Sequence, residues 1–130
     1  MLKPGFKTFL NYTPAISWGI FLSIATLTPS NDVPGFLKNF NDKLIHTGIY
    51  FLLTSLIFLA NLRYKLKNQQ STTFLILVLL FIVLYGGLIE ILQHYLVAGR
   101  TGDLADFMAN FTGSLLSVLL FYSIQKRRVA

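Results

Sequence analysis

Apolar residues run continuously through four stretches of the chain instead of alternating with polar ones. The stretches cover about residues 12–28, 44–62, 73–97 and 104–124, and residues 73–89 carry no charge. A hydrocarbon core about 30 Å thick is crossed by about 20 mostly apolar helical residues. The pattern therefore predicts an all-α integral membrane protein. Residues 1–130 would form a single domain, a four-transmembrane-helix bundle. Pro14 fits the first turn of the first span, where a missing N–H does little harm, and Pro29 ends that span. A β-barrel would need alternation. A cleavable signal peptide, with Lys3 and Lys7 as its basic start, is the less favoured reading of the first span.

Composition agrees with this pattern. Hydrophobic residues make up 54% of the chain and charged residues 12%. A soluble domain carries about 25% charged residues. The absence of cysteine excludes disulfides, thiol chemistry and thiolate metal sites. The net charge of +6 does not indicate nucleic acid, because the bases lie between apolar runs and not on a soluble basic face.

The distribution of charge predicts an orientation. Lys3 and Lys7, then Arg63, Lys65 and Lys67, then Lys126, Arg127 and Arg128 fall on one side of a four-span chain, with no acid among them. The positive-inside rule makes that side cytoplasmic, with both termini inside. The opposite side holds Lys38, Lys43 and Arg100 and every acid: Asp32, Asp42, Glu90, Asp103 and Asp106. In the first outer loop Phe36, Leu37, Phe40 and Leu44 recur at helical spacing. They fit a short helix lying in the interface or a loop packed over the bundle.

Ionisable groups inside a span are costly and mark cavities or partners. Asp42 and His46 are four residues apart and stack on one helix face, with Tyr50 a further turn along. Glu90, Gln93 and His94 occupy i, i+3 and i+4 and are expected on one side of the third span. A salt bridge from Glu90 to Arg100 or Lys43 is the structural alternative. Gly86 and Gly87, a turn earlier, would let another backbone approach. Asp103, Asp106, Asn110, Gly113, Ser114 and Ser117 fall within one helical sector, and Asp103 and Asp106 also suit a helix N-terminus. Ala109, Gly113 and Ser117 form a small-xxx-small ladder suited to packing. Three helices thus converge on a shared polar pocket facing outward.

The ordered set Asp42-Lys43-x-x-His46, Glu90-x-x-Gln93 and Arg100-x-x-Asp103-x-x-Asp106-x-x-x-Asn110, with Gly113 and the Leu27-Thr28-Pro29 end of the first span, resembles the VanZ-like family. The resemblance implies a small multi-pass protein of the bacterial cytoplasmic (inner) membrane. The family's namesake is linked to teicoplanin resistance, a cell-envelope phenotype, and the resemblance implies no particular reaction. Three readings follow. The pocket binds a lipid headgroup or a lipid-linked or lipoglycopeptide-related ligand, with Asp42, Lys43, Gln93, Arg100, Asp103, Asp106 and Asn110 as its lining. Alternatively, an enzyme acts on a lipid-linked envelope substrate, with Glu90 and His46 as catalytic acid and base and Lys43 and Arg100 holding a phosphate or carboxylate. Neither His-Glu-x-x-His nor Gly-x-Ser-x-Gly is present to support it. Or the polar layer is a structural seal between helices, in one chain or a homo-oligomer. The expected partners are the bilayer, such a ligand and a second copy, with no nucleic acid. No cofactor is expected. The metal question stays open, with a Mg²⁺ or Zn²⁺ site on Asp103, Asp106, Glu90 and a histidine as the alternative.

The orientation is checked by an Asp103→Cys variant. A membrane-impermeant thiol reagent should label it in intact cells; labelling only after lysis would reverse the topology.

Overall fold

The structure, a computed structural model, describes residues 4–29, 41–64, 71–98 and 102–127. The described residues form four helices: α1 (Pro4–Thr26), α2 (Asp42–Tyr64), α3 (Thr72–Leu96) and α4 (Leu104–Arg127). Three of them are long and apolar enough to cross a membrane, over Asp42–Leu62, Thr72–Leu96 and Leu104–Arg127.

The first helix departs from expectation. It begins at Pro4, about eight residues before the predicted span, and Pro14 lies inside it and not in its first turn. Pro4 takes the helix start, where no N–H is needed. The preceding turn adds Lys7, Thr8 and Asn11, which lowers the apolar content of the helix as a whole. Thr13 beside the proline returns its hydroxyl to the Phe9 carbonyl at 3.3 Å. Of the outer-loop stripe, Phe36, Leu37 and Phe40 lie outside the described residues, and Leu44 is exposed on α2.

Two helix starts are set by local chemistry. The Asn41 side-chain oxygen accepts the Lys43 and Leu44 amides at 3.0 and 3.3 Å and caps α2. Ser71 Oγ accepts the Phe74 amide at 3.2 Å and caps α3.

The most extensive helix contact is between α2 and α4; α1 packs on α2, α3 packs on α4, and α1 barely meets α3. The C-terminal ends of α1 and α3 share one end of the bundle with the N-terminal ends of α2 and α4. Gln93 donates to the Thr26 carbonyl, and Lys43 pairs with Asp103 and Asp106. Toward the other end the core is apolar: Phe58 packs its ring on Phe74 and Phe121, with Leu75 and Val78 alongside. Trp18 ties α1 to α2 by donating to the Ile49 carbonyl at 3.1 Å.

Lipid tails are as apolar as leucine, so helices in a bilayer associate through close packing and hydrogen bonds. The α2–α4 seam follows this rule. The Ala109–Gly113–Ser117 ladder is buried against α2. A Cβ at Gly113 would fall 2.1 Å from the Thr47 carbonyl oxygen, so only glycine allows this separation. Thr47 Oγ1 donates to the Ala109 carbonyl at 3.3 Å, and the Ser55 and Ser117 hydroxyls meet at 2.9 Å. Gly86 and Gly87 behave differently from expectation. They admit the side chains of Tyr50, Asn110 and Phe107, not a neighbouring backbone.

Two glycine substitutions should therefore act in opposite directions. Gly113→Ala forces α2 from α4 and should lower stability by about 1–3 kcal/mol, the usual range for overpacking. Gly48→Ala meets nothing within 4 Å and should add about 0.5–1 kcal/mol by stiffening the chain. Thermal unfolding in detergent, followed by Trp18 fluorescence, reads both. Equal midpoints would refute the close-approach argument.

Candidate functional site

Four of the five acids belong to the described residues, and all four gather at the end of the bundle where α2 and α4 begin and α3 ends. The Asn41 cap places Asp42 and Lys43 in the first turn of α2, and His46 follows one turn in. Asp103 caps α4: its Oδ1 accepts the Ala105 amide at 2.9 Å. That cap puts Asp106 in the first turn and Asn110 one turn deeper, both buried against α2. Gly102 lets the connecting chain pass close to α3, since a Cβ there would lie 2.7 Å from the Glu90 carbonyl oxygen. The Asp103 amide thereby reaches Glu90 Oε2 at 3.4 Å.

The deepest polar groups form a chain across three helices. Asn110 donates from Nδ2 to Glu90 Oε1 at 3.2 Å, and its Oδ1 meets His46 Nδ1 at 2.8 Å. His46, Glu90 and Asn110 are buried, at 4%, 7% and 3% exposure. Burial of that degree makes their mutual hydrogen bonds obligatory, because an unsatisfied buried polar group costs about 1–3 kcal/mol. His46 Nδ1 also lies 4.0 Å from Glu90 Oε1.

A second layer surrounds Lys43. Its ammonium bonds Asp103 Oδ2 at 3.0 Å, contacts Asp106 Oδ1, and lies 3.7 Å from Asp42 Oδ2. The charge of Asp103 is favoured first by the Ala105 amide and then by Lys43, so its carboxyl titrates below the ordinary range. A lowered carboxylate supports the fold at pH values above that ordinary range. The support is lost only as pH falls through the lowered value.

Asp42, Lys43, His46, Glu90, Asp103, Asp106 and Asn110 are thus brought together. Gln93 is not among them. Its side chain turns to the Thr26 carbonyl and pins the end of α1. His94 is exposed and meets Tyr95 edge-on at 4.8 Å. Of the three residues expected on one side of α3, Glu90 and His94 line one cleft, while Gln93 turns away because α3 has α1 on one flank and α4 on the other. A rotation of 100° per residue distributes the three between those neighbours and the surface. Arg100 lies outside the described residues. The structural alternative of a salt bridge from Glu90 to Lys43 is not met, since Lys43 pairs with Asp42, Asp103 and Asp106.

Sequence reasoning missed Asn41 and Thr47, and it placed Tyr50 only as a further turn along from His46. The rule that asparagine favours N-caps would have found the first. Thr47 bridges the Lys43 and Ala109 carbonyls, and no pattern announces it. Tyr50 is almost fully buried beneath the site, its ring against Gly86.

Glu90, His94 and Asp103 also border a cleft of about 370 Å³ between α3 and α4, whose other walls include Gly87, Ile91, Tyr95, Leu104 and Phe107. A separate apolar groove of about 600 Å³ runs between α1, α2 and α3, from Tyr12 and Phe74 to Ser23 and Tyr85. Asp42, His46 and Asp106 each turn one donor atom toward a common point, all within 4.8 Å of one another. Among the described residues, four carboxylates stand against one ammonium in this cluster.

Three spanning helices with a buried ionisable cluster at one end define a multi-pass membrane protein. The chain belongs to the VanZ/LLP1 family, whose model matches residues 4–125. It is 37% identical over 90 residues to the uncharacterized protein C11E3.10 of Schizosaccharomyces pombe, a match covering 68% of this chain and 51% of that protein. The chain thus spans about half the length of the curated relative it matches. No solved structure matches.

Proposed function

We propose that the protein holds the polar headgroup of a membrane lipid, or of a lipid-linked cell-envelope ligand, at the outer end of its bundle. All four helices cross the bilayer in this reading, and both termini face the cytoplasm. The charge distribution supports the orientation. Phe9, Ile16, Ile20, Phe21 and Ile24 stand exposed along α1, as lipid-facing residues do. In a bacterial host the membrane is the cytoplasmic one, and ligand binding alters sensitivity to glycopeptides such as teicoplanin.

The observation that carries this reading is the α3–α4 cleft. Its apolar wall suits a ligand that arrives from the bilayer, and Glu90 sits at its inner side. The volume lies at the lower end of small-ligand sites, which hold about 300–1,000 Å³. Behind Glu90 stand Asn110 and His46, already oriented, so little ordering would be needed on binding.

The same pair supports a second reading, an enzyme acting on that ligand. A buried imidazole held by an amide that is itself held by a carboxylate is the arrangement an acid–base catalyst uses to keep its geometry. Glu90 would then exchange a proton with the ligand in the cleft, and His46 would stabilise the charge left behind.

Glu90→Gln keeps the shape and removes the charge. Membrane abundance should stay at the wild-type level while teicoplanin sensitivity moves to that of the deletion strain. Lipid co-purifying with the protein, measured by mass spectrometry, should fall about tenfold for a lost charge-assisted hydrogen bond. A fall in abundance instead would favour the structural seal, and wild-type sensitivity with wild-type lipid content would overturn both readings.

A further inference from the structure

We propose that Asp42, His46 and Asp106 bind one divalent cation of the Mn²⁺ kind. This rests on the headgroup reading only in that the cation would add positive charge to the acidic cluster at the same end of the bundle; none of the three residues lines the α3–α4 cleft. Lys43 cannot supply that charge alone, being engaged by three carboxylates.

The first observation is how the carboxylates divide their oxygens. Asp106 gives Oδ1 to Lys43 and turns Oδ2 toward His46 Nε2, 4.0 Å away. Asp42 lies 3.7 Å from Lys43 through Oδ2 and turns Oδ1 toward the same nitrogen, 3.8 Å away. Lys43 thus holds the outer oxygens and leaves one inner oxygen of each acid facing the imidazole.

The second observation concerns the proton on that imidazole. A carboxylate only accepts, so the Asn110 amide must turn its NH₂ to Glu90. Its oxygen then faces His46 Nδ1 at 2.8 Å, and Nδ1 must be the donor. In the neutral ring Nε2 is left with a lone pair. The His46 side chain is only 5% exposed, and Nε2 makes no hydrogen bond among the described residues. In that form three acceptor atoms face one another, and either a proton on Nε2 or a cation must lie between them.

A cation resolves that repulsion. With bonds of about 2.1 Å, donors around one metal ion lie about 3.0–4.2 Å apart. The separations of 3.8 and 4.0 Å fall in this range. The widest separation, at most 4.8 Å, closes by a small turn of the exposed Asp42 side chain. Carboxylates suit Mg²⁺, Ca²⁺ and Mn²⁺, whereas imidazole suits zinc and other transition metals. Mn²⁺ accepts both kinds of donor, and its open positions would be left for water or a ligand oxygen. Glu90 and Asp103 stand outside the set, because their oxygens are given to Asn110, the Asp103 amide, the Ala105 amide and Lys43.

The test uses the full chain in detergent, stripped of lipid and treated with chelator, then titrated with Mn²⁺ and followed by electron paramagnetic resonance. We expect one saturable Mn²⁺ per chain with nitrogen hyperfine coupling from an imidazole. Asp42→Asn removes the charge of an exposed carboxylate, and should weaken binding at least about tenfold. His46→Gln should abolish the nitrogen coupling. No saturable binding, bound Mn²⁺ without nitrogen coupling, or equal affinity in Asp42→Asn would each overturn the proposal. No lipid is present, so such a failure leaves the headgroup reading to stand or fall on Glu90→Gln.

Discussion

One asparagine amide holds three helices in register. Asn110 on α4 gives its NH₂ to Glu90 on α3 and its oxygen to His46 on α2. In water such bonds would be exchanged freely with solvent and contribute little. In a buried layer of a membrane protein the alternative is an unpaired polar group in a low-dielectric medium, which is what makes the chain binding. Each member needs the next: remove the amide, and both a buried carboxylate and a buried imidazole lose a partner.

The rest of the bundle serves this geometry. Asn110 reaches His46 only because α2 and α4 nearly touch at Gly113. On the Glu90 side, Gly102 lies close against α3, and the Asp103 amide reaches the same carboxylate. Around this core Lys43 gathers Asp42, Asp103 and Asp106 at the water-facing edge. The division of labour is plain: the deep pair, Glu90 and His46, is fixed by hydrogen bonds, while the outer acids are arranged by charge. A cleft between α3 and α4 then borders Glu90.

Much of this was legible in the chain. Continuous apolar runs located α2, α3 and α4, and the intervals of three and four residues placed Asp42 with His46 and Asp106 with Asn110. Those intervals fix direction relative to one helix axis but not which neighbour lies there. Glu90 and Gln93 are only three residues apart, yet one faces α4 and the other α1. The same ambiguity hid the start of α1, where a proline was read as a first turn because nothing local reveals that the helix continues past it. Hydrophobic patterning is also silent on hydrogen-bond partners. It could identify a polar layer, but not that Lys43 would serve the aspartates and leave Glu90 to an amide.

The claim on which all of this rests is that Asn110 fixes the proton of His46 on Nδ1. Nitrogen NMR of the metal-free protein, labelled with ¹⁵N-histidine and assigned by comparison with His46→Gln, reads that proton directly. His46 should carry a proton on Nδ1, whatever the state of Nε2. A bare Nδ1 would contradict the account.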